Sequence, residues 1–546
     1  MAGLTATRDL LRRGWSPREI VLLEASGDIG GRVQTRKHPS GFEYDEGAAY
    51  IHGQEGNPIG ALAAEAGIKL KLICPRNPWV EASSSDLALF CDGVRSSDEE
   101  MAQTAQNFEQ LMQLVGEVGI GCNEAWAPLK GTTEALLGSA PFVSLAPAEM
   151  ARLCFRLLML AVWNGCDLEE LQLLEFAGDG EEEQQGYGDF PGPHCMVEGG
   201  MSKVVRAVAT PKVMSCVRVN SRVTHITLRD ASHGKTTSAA DNHGSKIEEP
   251  ARARVDWLEE TVENDNMTCA GLGESPILVR LEGGEELKAD VVVVTLPLTL
   301  LQDHLVFEPP LPEERRSILS RLSLGSYEKI LIEFDQVFWP EDTPFIGCCT
   351  THTSTVAGVP ASTLPFPSGV PSGEGGLLLE NYYWSKGVPV LAAAVSGAQA
   401  RWVAAEINSA QKEGDTLIAK GLEEEKSRGG LMAGGGRGAW EVYQRMILPA
   451  LEEAFGQVEK IPDPVSVVAT SWSLKPLFRG SYSFFPLGAA DTDVITSGKP
   501  IGNRLFFAGE ATSASYQGSV HAAYLSGARA AEEVEELFSS ARSWNK

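Results

Sequence analysis

At 546 residues with 43% hydrophobic content, the chain has room for about three or four domain-sized units, and no run approaches the ~18 apolar residues of a membrane helix. Its 46 basic and 73 acidic residues leave a net charge of −27, which repels a phosphate backbone and speaks against nucleic-acid binding; both steering of a cationic ligand and plain solubility remain open. Ten cysteines fall in no CxxC pair or metal-like spacing, which predicts reduced thiols, no metal centre and a cytoplasmic setting.

The first residues, MAGLTATRDLLRRGW, put Leu4, Leu10 and Leu11 on one side of a helix that opens at Gly3 and stops at Gly14. REIVLLEA follows as an apolar strand closing on Glu24. A helix entered at a glycine, a strand and an acid form the second half of a dinucleotide-binding βαβ unit. In such a unit the pyrophosphate rests on the helix N-terminus and the acid takes the ribose hydroxyls. The first strand and G-x-G of a complete unit would stand ahead of Met1, so the expected sheet lacks its first strand and the site begins at its third glycine. In GDIGGRVQT, Gly30 and Gly31 let the backbone approach a ligand closely and Arg32 can balance pyrophosphate charge. A Gly-Gly-Arg tripeptide is elsewhere an ordinary turn; its place directly after the strand gives it weight.

Further along, LCFRLLMLAVWNGCDLEELQLLEF predicts a helical stretch whose apolar residues are mostly core. Residues 229–275 are polar and turn-rich, and GGLMAGGGRGAW after EEEKSR reads as a flexible loop; both look like insertions. Gly283-Gly284 predicts a hairpin with ILVRL and ELKADVVVVTL as its arms. In GSYEKILIEFDQVFWP the alternation puts Tyr327, Lys329 and Leu331 on one face, opposite Glu328, Ile330 and Ile332. Read alone, Lys329 is a solvated strand lysine. Near the end, RLFFA predicts a buried strand, Gly509-Glu510 a tight turn, and Gly518 onward a helix with Val520 in its first turn. Its N-terminus offers free backbone N–H groups and the positive end of the dipole. Close alanine packing explains Ala522, Ala528 and Ala530, but not an acid, Glu510, in the turn.

That C-terminal stretch, together with Gly30-Gly31-Arg32 and DEGAAYIHG, resembles the flavin-dependent amine oxidase family, and within it the polyamine oxidases, spermine oxidases included. The resemblance covers nearly the whole chain apart from the two insertions. It implies a mixed α/β, two-domain architecture: a Rossmann-like FAD-binding domain from residues 1–75, 195–305 and 465–546, and a mixed-sheet substrate domain from 76–194 and 306–464. Gly3, Glu24, Gly30, Gly31, Arg32, Gly509, Glu510 and Val520 would then hold FAD. The backbone near Val223 would meet the adenine, and Trp472 in TSWSLKPLFRGSYSF would lie beside the flavin ring. Lys329 matches the family's lysine that holds a water against the flavin, where a fixed positive charge helps oxygen accept an electron. His52 matches a position facing bound polyamine; a turn histidine or helix cap is the plainer alternative. Glu46, Tyr482 and Trp384 are implied as wall residues.

The implied reaction moves a hydride equivalent from the carbon beside an uncharged nitrogen onto the flavin, and oxygen then leaves as hydrogen peroxide. The partners would be a small cationic amine and molecular oxygen, without nucleic acid or membrane and with the oligomeric state left open. Ser519 stands where monoamine oxidases place an aromatic, which argues against a monoamine substrate. The additional domain and long helical arm of the histone demethylases are not visible, and the chain ends in SARSWNK rather than a peroxisomal SKL. A demethylase-like or other amine oxidase, and a catalytically dead relative, remain the alternatives to a polyamine oxidase.

Overall fold

The computed structural model describes residues 1–121, 127–172, 189–228, 277–351, 355–356, 359–360, 376–419, 436–456 and 460–544. The expected insertion at 229–275 lies outside them. The described residues form a mixed α/β structure.

The first helix, Ala2–Arg12, forms as expected but is buried on several sides rather than along one stripe: Leu4 and Leu11 pack with Val204 and Val208, whereas Ala6 and Leu10 pack with Trp15 and Val534. It lies against the C-terminal helix Val520–Trp544 so closely that a Cβ on Gly527 would meet the Ala2 carbonyl oxygen at 2.3 Å. Its N-terminus sits between the ends of two short parallel ladders. One pairs Leu22–Leu23 with Val217–Arg218, and the other pairs Val292–Val294 with Leu505–Phe507. Among the described residues these ladders are not hydrogen-bonded to each other. The hairpin forms with Ile277 opposite Ala289 and Arg280 opposite Glu286. Its long second arm is two strands, because Val292–Val294 turns away to pair with Leu505–Phe507.

The larger sheet has seven strands, in the order Ser466–Ala469, Tyr327–Glu333, Val390–Ser396, Leu377–Asn381, Phe345–Cys349, Leu87–Cys91 and Val94–Arg95. Ser466–Ala469 therefore hydrogen-bonds into this sheet, and the boundary expected near 465 falls just before one of its strands. The alternation read from Tyr327–Glu333 is present: Ile330 and Ile332 pack with Val403, Val442 and Met446, while Leu331 packs with Tyr44 and Tyr382 on the other face.

Helix Pro147–Asn164 is buried on every side from Met150 to Val162, Arg152 and Arg156 included, because it lies between two cores. Phe155, Leu158 and Val162 join Trp79 and Leu87, whereas Leu153, Leu157 and Leu160 join Phe108 and Leu111. Two expectations need correction. Part of the segment read as a glycine-rich loop is helical over Gly436–Val442, where burial of Ala439 and Val442 outweighs the poor helix propensity of glycine. The last helix begins at Val520 rather than Gly518, with the Ser519 hydroxyl capping the Ala522 N–H at 3.0 Å. Among the described residues no helix is long and apolar enough to cross a membrane, and the described cysteines are buried.

Candidate active site

A cavity of about 2240 Å³ runs from the end of the first helix to the large sheet. Gly3, Glu24, Gly30, Gly31, Arg32, Glu46, His52, Lys329, Trp472, Tyr482, Gly509, Glu510 and Val520 all line it. Residues distant in sequence thus converge on one space. Val223 and Trp384 do not line it. Val223 packs in the core around Phe307 and Leu505, and Val217, at the end of the parallel ladder, faces the cavity instead. Trp384 lies under Lys71, whose Nζ is 4.5 Å from the ring centroid and donates to the Trp384 carbonyl at 2.7 Å.

The cofactor end is built for backbone approach. Gly30 has φ of +112°, and a Cβ there would strike the Val33 carbonyl oxygen at 2.8 Å. A Cβ on Gly3 would strike Leu22 at 2.9 Å. Those glycines let the elements pack closely, whereas a Cβ on Gly31 or Gly509, both lining the cavity, would stand in open space; the cradle is left free of side chains there, so the residues present fit FAD. Glu24 is aligned by Ser26, whose N–H and hydroxyl donate to its Oε1 at 2.8 and 2.9 Å.

Glu510 answers the question its burial raised. Its carboxylate accepts from Arg32 Nη1 at 2.8 Å and from the Gly518 N–H at 2.9 Å, and it also binds the Ser483 hydroxyl. It joins the glycine-rich turn, the strand Ser483–Phe484 and the approach to the last helix. Arg32 also donates to the Ser481 carbonyl at 2.7 Å, so its charge is already paired within the protein.

At the other end Lys329 is buried, and its Nζ donates to the carbonyls of Asp45 and Gly47 at 3.3 and 3.4 Å. An ammonium has three donors; the third has no acceptor among the described residues. The neighbouring Glu328 faces the opposite way, fully buried, and accepts from the N–H groups of Trp472 and Ser473 at 2.9 and 3.0 Å. One strand therefore places both the lysine and the turn carrying Trp472. The Trp472 ring is fixed by its Nε1 donating to the Glu46 carbonyl at 3.1 Å. The Glu46 carboxylate is engaged by Lys475 and Arg36. Tyr482 donates to the Val162 carbonyl at 2.8 Å, and burial raises its phenol well above the ordinary range.

His52 follows the strand Tyr50–Ile51, which pairs with His194–Val197. Its ring meets Trp163 edge-on at 4.8 Å and Trp79 at 5.8 Å. Its Nδ1 lies 3.3 Å from His194 Nδ1, and His194 Nε2 lies 3.4 Å from Asp189 Oδ2. Burial, then His194 and His521, hold the His52 pKa well below its ordinary value, and burial lowers His194 to about 4. Burial raises Asp189 well above the ordinary carboxylate range, against the opposing hydrogen bond from Asn77. Trp79, Trp163, His194 and Asp189 were not singled out from the sequence. Trp163 closes an apolar helix and reads as core, and no local spacing links the other three. The one available signal was aromatic and titratable residues within segments otherwise assigned to packing.

The family model for flavin containing amine oxidoreductase matches residues 1–255, 266–396 and 436–535. Lysine-specific histone demethylase 1 homolog 2 of Oryza sativa subsp. japonica is 26% identical over 541 residues, covering 98% of this chain and 56% of its own length. Lysine-specific histone demethylase 1 homolog 3 of Arabidopsis thaliana is 25% identical over 579 residues, covering 99% of this chain and 30% of its own. Probable polyamine oxidase 4 of Arabidopsis thaliana is 22% identical over 551 residues, covering 100% of this chain and 88% of its own. The chain thus spans about half, or less, of these two demethylase relatives. With the family model matched over most of its length, and the glycine cradle, Glu24 and Lys329 facing one cavity, the chain belongs to the flavin-containing amine oxidoreductases, with FAD as its cofactor.

Proposed function

We propose that this protein oxidises a linear polyamine (spermine, spermidine or an acetylated form) at the carbon next to a nitrogen, with molecular oxygen as the final acceptor. The observation that carries this reading is His52, walled by Trp79 and Trp163, in the same cavity as the buried Lys329; burial there lowers the His52 pKa. Bound FAD supplies the two-electron acceptor for the amine and, through oxygen, releases hydrogen peroxide. The protein's part is to hold the reacting nitrogen uncharged: an apolar, aromatic wall disfavours ammonium there. His52 meets that nitrogen by hydrogen bonding, Tyr482 and Tyr327 exclude water, and Lys329 keeps a positive charge where oxygen is reduced. Glu81, Glu109 and Glu117, exposed along the same cavity, suit the remaining ammonium groups of an extended polycation.

A second reading, a methylated lysine in a peptide, is favoured by the relatives named as histone demethylases. The test is peroxide release by flavin-loaded protein. The panel is spermine, spermidine, acetylated spermine, a monoamine, and peptides bearing mono- or dimethyl-lysine. The proposal expects turnover of the polyamines and none of the monoamine. Turnover of the peptides alone would transfer the assignment to the second reading, and flavin-loaded protein inert towards every amine would point to a catalytically dead relative.

A further inference from the structure

Resting on that reading of the cavity, we infer that Asp189, His194 and His52 form a proton relay. In it, His52 Nε2 takes a proton from the substrate ammonium and Asp189 is the final acceptor.

The three residues come from separate stretches of chain. His52 leaves the strand Tyr50–Ile51, His194 begins the strand paired to it, and Asp189 is brought in where the Phe190 N–H meets the His52 carbonyl at 3.4 Å. Their contacts run in one line: Asp189 Oδ2 to His194 Nε2 at 3.4 Å, then His194 Nδ1 to His52 Nδ1 at 3.3 Å. Asn77 fixes the far end by donating to Asp189 Oδ2 at 2.7 Å, and its own Oδ1 caps Trp79 at 2.9 Å. Asp189 Oδ1 is buried with no partner among the described residues. His52 Nε2, the ring nitrogen opposite the His194 contact, makes no hydrogen bond among the described residues, and His52 lines the cavity.

With Asp189 ionised, its carboxylate 3.4 Å away favours the proton on His194 Nε2, which leaves His194 Nδ1 as the acceptor for His52 Nδ1–H. His52 then presents the lone pair of Nε2 to the cavity. When that lone pair takes the ammonium proton, the His52 Nδ1 proton passes to His194 Nδ1, and the His194 Nε2 proton passes to the Asp189 carboxylate. One proton enters and one O–H bond forms at the far end; both histidines finish neutral and the amine nitrogen keeps its lone pair. Burial favours this outcome. It penalises a charged imidazole at either histidine and raises the proton affinity of Asp189. Among the described residues the other ionisable groups facing this relay are Glu81 beside Asp189, with Arg76 3.9 Å from Glu81, His521 near His52, and Tyr50 and Cys74, whose pKa values burial raises.

The test uses the flavin-loaded full chain and two readouts. Nitrogen-15 NMR of labelled histidines should find His52 as the Nδ1–H tautomer above the acidic limb of the rate profile, and Asp189→Asn should abolish that preference. Anaerobic rapid mixing with spermine should show flavin reduction slowed on the order of tenfold or more in Asp189→Asn. Its acidic limb should move to lower pH, because the base left behind is a buried histidine. His194→Gln should match it, the double variant should be no slower than either single, and Asp189→Glu should recover part of the rate. An Nε2–H tautomer in the wild type, or an unshifted acidic limb in both single variants, would overturn the relay. If no polyamine is oxidised, the NMR result still decides the relay while the substrate proposal fails separately.

Discussion

Lys329 is the residue with the sharpest consequence. Its ammonium is buried and held by two carbonyls, a placement that fixes charge rather than contributing to packing. Lys329→Met keeps the stem and removes the charge, so FAD should bind normally while reoxidation or turnover slows at least about tenfold, or ~1.4 kcal/mol. Stopped-flow rates unchanged in both half-reactions would remove the assignment. His52→Ala should lower turnover of long polyamines on the order of tenfold and alter the pH profile, with folded yield preserved; an unaltered pH–rate curve with spermine would return it to an ordinary turn histidine. Both were legible as cavity positions only through the family resemblance of the motifs that carry them, since register alone reads Lys329 as a solvated strand lysine and His52 as a turn histidine. His194, Asp189, Trp79 and Trp163 were not: the pairing of Tyr50–Ile51 with His194–Val197 brings His194 to His52, and two helices, Pro78–Glu81 and Pro147–Asn164, bring Trp79 and Trp163. No spacing in the sequence encodes that contact.

Among elements, the turn at Gly509-Glu510 carries the most. Its carboxylate joins Arg32, Ser483 and Gly518, and it is buried. Removing one partner of a buried ion pair leaves the other uncompensated, at a cost of about 3–5 kcal/mol. Glu510→Ala should therefore lower both the melting temperature and FAD affinity. Equal melting temperatures, with and without added FAD, would show that the turn is not coupled to the cofactor cradle. Gly527 tests the helix pair. With Ala2 O at 2.3 Å from a new Cβ, Gly527→Ala forces the two terminal helices apart and should cost about 1–3 kcal/mol. The period-2 pattern of Tyr327–Glu333, the hairpin and the opening helix could all be read in advance, because local periodicity determines them. The helix Gly436–Val442 could not, because its stability comes from a buried face supplied by Val403 and Ala400 far away in sequence.

For the molecule as a whole, the net charge says nothing of the buried His52–His194 pair at the cavity, which is where pH should act on stability. His194 is buried with its folded pKa lowered from 6.5 to about 4. Between those values the unfolded chain binds a proton that the folded chain refuses, so this group's contribution is complete above about 6.5 and is lost as pH falls towards about 4. The loss is about 3 kcal/mol. Asp45, Asp189 and Glu328 act in the opposite sense, since burial raises their pKa values and they gain stability on protonation. The wild-type curve is the sum of these, and a difference between variants isolates His194. In an Asp189→Asn background, where that carboxyl no longer titrates, adding His194→Gln should remove the acid sensitivity that His194 brings. Urea unfolding at pH 7 and pH 4.5 should then show the stability gap between the two variants moving by about 2–3 kcal/mol in favour of the glutamine as pH falls. A gap that stays constant between the two pH values would mean that His194 is charged or solvated in the folded protein, and the uncharged cavity wall proposed for the amine would fail with it.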